Sequence, residues 1–513
     1  MIRQAAAALL GGLFYFWAAA GTASPITDSK PPQAPPGAMT ALIANLHEAS
    51  ERFGDGDNPG ARDLLVKAIN DPAFQTTSPE VQHFAYSTLA EALSVLGDDW
   101  PRAHGAACAA TLSPLADGRD WQLRLESAYE IKDDSDSIMS LTTIASNWPG
   151  SLSYFSDNAI KKVVRKSQEQ SEDKGYAVLE ALRAAQWRPA DLYSYADDLW
   201  FDLVRLRLEH GDQKGAAALA QDIEIPPYLV QMRDEKVFDP IVEANPSHFD
   251  VIKAIERELE ATRALAAAQP DHLQGINLLA DYYIGINRPN EALEIIDAAL
   301  ARTRDKDKKP FVDFDGYVNW TLNDRSRALV ELGRMDEAVH DLEAAARTPE
   351  NGAINVSQVI NLADTYVSAG RPQEALTTLS FLGLAKPTDY GRMAAENARG
   401  CAYALLRDQA GLAGSLNYIR AHVADGPKMA IETLLCADDI DGAAKVLIAQ
   451  LDNPKTRTWT LYSLQDFAMP PSVTPVDMEA ARRWRVLRDR PDVTTKISMF
   501  GRIGSYPITS PGY

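Results

Sequence analysis

Along much of the chain, apolar residues recur at intervals of three and four, the spacing that turns one face of a helix toward a core. The runs at 276–284, 322–332 and 359–368 show it clearly, and each is followed by a second helical run, at 292–300, 338–345 and 375–382. The text between the two runs is nearly the same each time. It reads Asn287-Arg288-Pro289-Asn290-Glu291-Ala292, then Gly333-Arg334-Met335-Asp336-Glu337-Ala338, then Gly370-Arg371-Pro372-Gln373-Glu374-Ala375. Gly or Asn takes the left-handed conformation that ends one helix. Pro in the first turn of the next helix has no amide hydrogen to waste, and the acidic residue there suits the positive helix end. The three Ala residues stand 46 and then 37 residues apart, so the repeating unit is a helical hairpin.

Weaker copies of the hairpin precede these. Gly211 to Ala216 keeps the same interval from stop to Ala, and Gly97 ends a helical run at 81–96. Runs at 39–53 and 61–70 make another pair around the polar loop 54–60. Pro226, Pro227, Pro240 and Pro246 interrupt the pattern. The expected organisation is a signal peptide at 1–23, a Pro-rich leader at 24–38, and a degenerate hairpin array at 39–225. A junction at 226–269, a clearer array at 270–455 and a basic capping helix with an irregular tail at 456–513 complete it. A single hairpin leaves a face unburied, so only stacking makes a core. The expected fold is all-α, an α-solenoid of stacked antiparallel hairpins with room for two arrays. A helical toroid or compact bundle is the alternative.

Over about 270–425 the sequence resembles the tetratricopeptide repeat. That unit carries a small residue late in its first helix, an aromatic one turn on, small residues in its second helix, and a closing Pro. Ala363, Tyr366, Ala375, Leu382 and Pro387 take these places, with Leu362 beside them. Ala280, Tyr283, Ala292 and Ala299 do so one unit earlier. Between them, Ser326, Leu329, Ala338 and Ala345 form a looser match. Gly400, Tyr403 and Leu416 outline a fourth unit in which Leu412 replaces a small residue. Small side chains let paired helices approach, and the aromatic fills the space beside them.

The ends and the composition narrow the function. Arg3, an apolar run at 5–20 and small residues up to Ala23 form a secretory signal pattern, too short to span a bilayer. No later segment is long and apolar enough to span one, so the expected mature protein is exported, periplasmic or secreted. The full chain of 513 residues carries 51 Lys+Arg against 71 Asp+Glu, a net charge of −20 that disfavours a nucleic-acid partner. Nucleotide-loop, zinc-protease and nucleophile-elbow motifs are absent from the sequence. The eight histidines are scattered, with no pair at helical metal spacing, and read as surface or helix-end residues. Asp55-Gly56-Asp57-Asn58-Pro59-Gly60 starts like a calcium loop but lacks its acidic close, since Val66 stands there. Lys132 to Asp136 reads as a solvated loop. No cofactor is expected, and Cys401 and Cys436, on neighbouring units, read as buried free thiols. The run Arg482 to Arg490 around Trp484 reads as a cap whose arginines pair with the acidic repeats.

In proteins built like this, the first helix of each unit lines a concave groove that holds a peptide. The resemblance puts Gln274, Asn277, Asp281, Trp320, Asn323, Arg327, Glu331, Ser357, Asp364 and Asn397 on that face. Asn277, Asn323 and Asn397 share one register position, and an amide can both donate to and accept from a peptide backbone. The resulting expectation is an exported scaffold for a protein or peptide partner, rather than an enzyme. The alternative is an envelope polysaccharide-active or lytic enzyme whose carboxylates converge in a cleft.

Overall fold

The computed structural model describes residues 36–509, apart from 305–309, 351–352 and 386. The expected signal peptide, the leader up to residue 35 and most of the loop at 302–310 lie outside them. The chain divides into two compact units, one ending at Leu206 and the other beginning at Arg207.

The first unit pairs α1 (Pro36–Gly54) with α2 (Asn58–Ile69) and α3 (Pro79–Leu96) with α4 (Trp100–Thr111). It continues with α5 (Gly118–Glu130) and α6 (Asp134–Asn147), then α7 (Asp157–Gln170) and α8 (Glu172–Ala184). Each helix packs on the next. Leu42, Leu46, Leu65, Phe74, Leu89 and Leu93 are buried together with Ala49, Ala68, Ala85, Ala90 and Ala107. The alanines let the backbones come close while the larger side chains fill the space between them. Asp57, Asp99, Asp117 and Asp133 each accept a backbone amide at the start of a helix. The calcium-like loop is thus explained by capping, with Asp57 accepting from the Gly60 amide at 3.0 Å. Helix α9 (Asp197–Glu209) spans the division between the units.

The second unit starts with α10 (Gln213–Ala220), α11 (Pro226–Asp234), α12 (Asp239–Ala244) and α13 (Val251–Ala268). Five hairpins follow: α14 (Leu273–Gly285) with α15 (Pro289–Arg302), α16 (Phe314–Glu331) with α17 (Met335–Arg347), and α18 (Val356–Ser368) with α19 (Pro372–Ser380). The last two are α20 (Asp389–Leu406) with α21 (Gln409–Ala421) and α22 (Pro427–Cys436) with α23 (Ile440–Asp452). Ala280, Ala292, Ala338, Ala363 and Ala375 are fully buried, as tetratricopeptide-type packing demands. The fourth unit keeps the same device one residue earlier than the sequence suggests. A Cβ on Gly411 would lie 2.5 Å from the Tyr403 ring, so it is Gly411 that makes room there, not Leu412. The fold is an α-solenoid.

One turn recurs at each of these five hairpins. Asn287, Gly333, Gly370, Arg407 and Asp438 all have positive φ, between 58° and 74°. In each case the next amide donates back across the turn, as Arg288 does to Tyr283 O and Asp439 to Leu434 O, both at 2.8 Å. Arg288, Arg334 and Arg371 then pair with Glu291, Glu337 and Glu374 in the first turn of the second helix.

The second array closes on itself. Helix α24 (Pro454–Ser463) packs against α11, and Thr458 Oγ1 donates to Glu235 Oε2 at 2.5 Å. Beyond it, β1 (Asp466–Phe467) pairs in parallel with β2 (Ser505–Tyr506), around α25 (Pro475–Arg488) and α26 (Pro491–Phe500). This tail crosses the C-terminal ends of the first helices and supplies donors to their orphan carbonyls. The Thr509 amide donates to Gly285 O at 2.8 Å, and the Ser472 amide to Glu331 O at 2.9 Å. Arg483 Nη1 donates to Leu435 O and Cys436 O, at 2.5 and 3.0 Å. Arg502 grips Asp239 through both carboxylate oxygens, and Tyr506 donates to Asp234 at 2.6 Å.

The cysteine expectation is overturned. Cys401 and Cys436 form a disulfide, with alpha carbons 5.2 Å apart. Neighbouring first helices usually stand farther apart, but Gly400 removes the obstacle. A Cβ there would lie 2.7 Å from Thr433 Cγ2, so α20 and α22 approach more closely than larger side chains permit.

Candidate concave site

The first helices of the second array, α14, α16, α18, α20 and α22, lie side by side, and their shared face carries the residues expected to meet a partner. Asp364 on α18 interacts electrostatically with Glu432 on α22, although α20 lies between them.

The asparagines of the shared register are spent between helices. Asn277 is buried, accepts from Thr321 Oγ1 at 2.9 Å and donates to Tyr317 O at 3.3 Å. Asn323 is also buried and accepts from Asn361 Nδ2 at 2.8 Å. Asn397 accepts from Thr433 Oγ1 at 2.9 Å and donates to Glu432 at 3.2 Å. Buried amides need such partners, and these tie each first helix to a neighbouring one.

Charge gathers one turn farther along. Arg327 donates to Asp281 on α14 and lies 3.4 Å from Asp324 on its own helix. Asp324 is buried, and desolvation outweighs Arg327 to push its carboxyl up to about 7. Glu331 is half-buried and is pushed up to about 7 by the same cause, with Arg327 pulling the other way. Asp364 is exposed at its surface, yet the helices packed around it remove part of its surrounding water. That desolvation, with Glu432 beside it, also pushes its carboxyl up to about 7. The Tyr390 hydroxyl is shifted upward by burial, Glu432 and Asp364.

The structure thus brings Asp281, Asn323, Arg327 and Glu331 into one group, and links Asp364 to Asn397 through Glu432. Gln274, Trp320 and Ser357 lie one to two turns away, toward the N-terminal ends of their helices, with Trp320 42 % exposed. Asp324, Asn361, Tyr390 and Glu432 were not readable as site residues. Asn361 is one residue out of register, and Glu432 sits in a unit whose stop is Asp438 rather than Gly or Asn. Two cations meet these acidic groups: Arg327 pairs with Asp281 and Asp324, and Lys428 lies 3.9 Å from Glu432. Among the described residues, this face offers no cluster of arginines or lysines to clamp a carboxylate.

No known family and no curated protein matches this chain. Among solved structures it is similar to a Rap protein complexed with competence and sporulation factor (11% identity, TM-score 0.30, 88% of this chain and 99% of that one). It is similar to the Cut9–Hcn1 hetero-tetramer of the APC/C (14% identity, TM-score 0.28, covering 90% and 98%). A third likeness is to Ypp1 (11% identity, TM-score 0.38, covering 90% and 66%). At such low scores, any functional reading rests on this chain's own residues.

Proposed function

We propose that the protein is an exported interaction scaffold that holds an extended, cationic segment of a partner protein against the concave face of its second array. The observation that carries this reading is the run of acidic groups along the first helices, with Asp281, Asp324 and Glu331 around Arg327 and with Asp364 beside Glu432. A Lys- or Arg-bearing peptide gains from the exposed carboxylates of Asp281 and Asp364, and Trp320 offers a flat apolar platform at the edge. Export is supported by the signal pattern and by the Cys401–Cys436 disulfide, a bond that persists in oxidising compartments. The mature chain then begins near Ser24, and Met1 retained on a cytosolic chain would refute export.

The test is affinity capture of partners from the native envelope, followed by titration of the captured partner. An Asp364→Asn/Glu432→Gln variant should fold normally and bind at least about tenfold more weakly, a loss of about 1.4 kcal/mol. Unchanged binding by a folded variant would place the partner elsewhere.

One observation favours the alternative of a glycan-active enzyme. A carboxyl still protonated near neutral pH suits a general acid, and Asp364 and Glu331 are both of that kind. Release of soluble fragments from cell-wall glycan by the parent chain, abolished by Asp364→Asn, would establish this reading instead.

A further inference from the structure

A separate cluster lies in the first unit, far along the chain from the concave face. On α4, His104 and Cys108 are one helical turn apart, and Asp136 meets them from the first turn of α6. His104 Nε2 lies 3.5 Å from Cys108 Sγ and 3.6 Å from Asp136 Oδ2. The three atoms all fall within 4.8 Å of one another. A tetrahedral zinc ion, with bonds of about 2.3 Å to sulfur and about 2.0 Å to nitrogen, holds such ligand atoms about 3.5 Å apart. The side chains of His104 and Asp136 retain only 14% and 12% of their exposure, while Cys108 is half-buried.

The hydrogen bonds around the cluster fix the imidazole for this role. Ser127 Oγ donates to Leu123 O at 2.7 Å, so its proton is already placed. At 3.2 Å from His104 Nδ1, the same oxygen then accepts from the ring. With Nδ1 protonated, Nε2 turns a bare lone pair toward Cys108 and Asp136. Arg124 holds the carboxylate in place, with Nε donating to Oδ2 at 2.8 Å and Nη2 to Oδ1 at 2.6 Å. Each oxygen keeps a second lone pair, and Nη1 of Arg124 is anchored on Thr111 Oγ1 at 2.8 Å. A thiolate and a carboxylate against one guanidinium leave a single negative charge, which a divalent ion turns into a net positive one.

We propose that His104, Cys108 and Asp136 bind one zinc-class divalent cation, with a fourth position left to water or to an incoming donor. The thiol gives up its proton to solvent on binding. Because Cys401 and Cys436 are bonded to each other, Cys108 is the one thiol among the three cysteines able to ligate a metal.

The experiment titrates the untagged mature chain, disulfide intact, with zinc chloride and with cobalt chloride. The expected result is one zinc retained per chain after dialysis, a raised melting temperature, and a thiolate-to-cobalt charge-transfer band in the near ultraviolet. Cys108→Ser should abolish the band and weaken zinc binding at least tenfold while far-ultraviolet circular dichroism stays unchanged. If that variant misfolds, His104→Gln takes its place, with the same tenfold loss expected. A chain that retains no zinc at micromolar concentration and shows no cobalt band would overturn the proposal. Zinc binding unaltered in the folded variant would overturn it equally.

Discussion

Asp324, Glu331 and Asp364 hold their protons well past the ordinary carboxylate range for one shared reason, the loss of bulk water around each of them. The consequence for stability has a definite sign. Unfolded, these groups ionise near 3.8 to 4.5; folded, they ionise near 7. Between those limits the folded chain keeps protons that the unfolded chain has lost, so stability falls as pH rises. The second unit should therefore melt at a higher temperature at pH 5 than at pH 8. Asp364→Asn should flatten that dependence by part only, because Asp364 itself remains open to water. An equal slope in parent and variant, read by thermal melts across this window, would contradict the assignment. Arg327→Ala should act the other way from a simple surface change. It strands buried Asp324 without its guanidinium, and a loss of about 1–3 kcal/mol is expected from denaturant unfolding. The register asparagines show the limit of sequence reading at this scale. Their position is visible in the sequence, but the partners that engage them, Thr321, Asn361 and Thr433, lie on neighbouring helices at distances only packing decides.

At the scale of the helix and hairpin, legibility followed the chemistry of the turn. Units that stop at Asn287, Gly333 and Gly370 are plain in the sequence, because those residues enter the left-handed region cheaply. Units that stop at Lys132, Arg407 and Asp438 reach the same conformation with side chains that give no such signal, so the hairpins they end were hidden or weak. The disulfide was missed for a related reason, since the helix spacing at Cys401 depends on Gly400 and its contact with Thr433. Two expectations follow from the packing. Ala375 is fully buried between helices, so Ala375→Trp should cost about 1–3 kcal/mol by overpacking, seen as a lower melting temperature. The disulfide closes a loop across 35 residues of sequence. Cys401→Ser/Cys436→Ser should then lose about 2–4 kcal/mol under non-reducing conditions, and reductant should lower the parent's melting temperature toward the variant's.

Across the whole molecule, two units with separate cores make two-state unfolding an unsafe assumption, and calorimetry should resolve two transitions. The tail decides which of them is which. Residues 501–509 belong to the second unit by every bond they make: Arg502 to Asp239, Tyr506 to Asp234, Thr509 to Gly285. None of this was legible in a segment that reads as irregular, because these three bonds join residues more than 220 positions apart in sequence. Gly501 marks the closest approach, where a Cβ would lie 2.4 Å from Asp234 O and 2.9 Å from a Leu461 methyl. Gly501→Val should therefore force the clasp apart at both contacts. The expected calorimetric result is a single transition moved downward, the one that also responds to Ala375→Trp, with the other unchanged. If both transitions moved together, the two units would be one cooperative body. If neither moved, the clasp between the tail and α11 would contribute nothing to the closure of the second array.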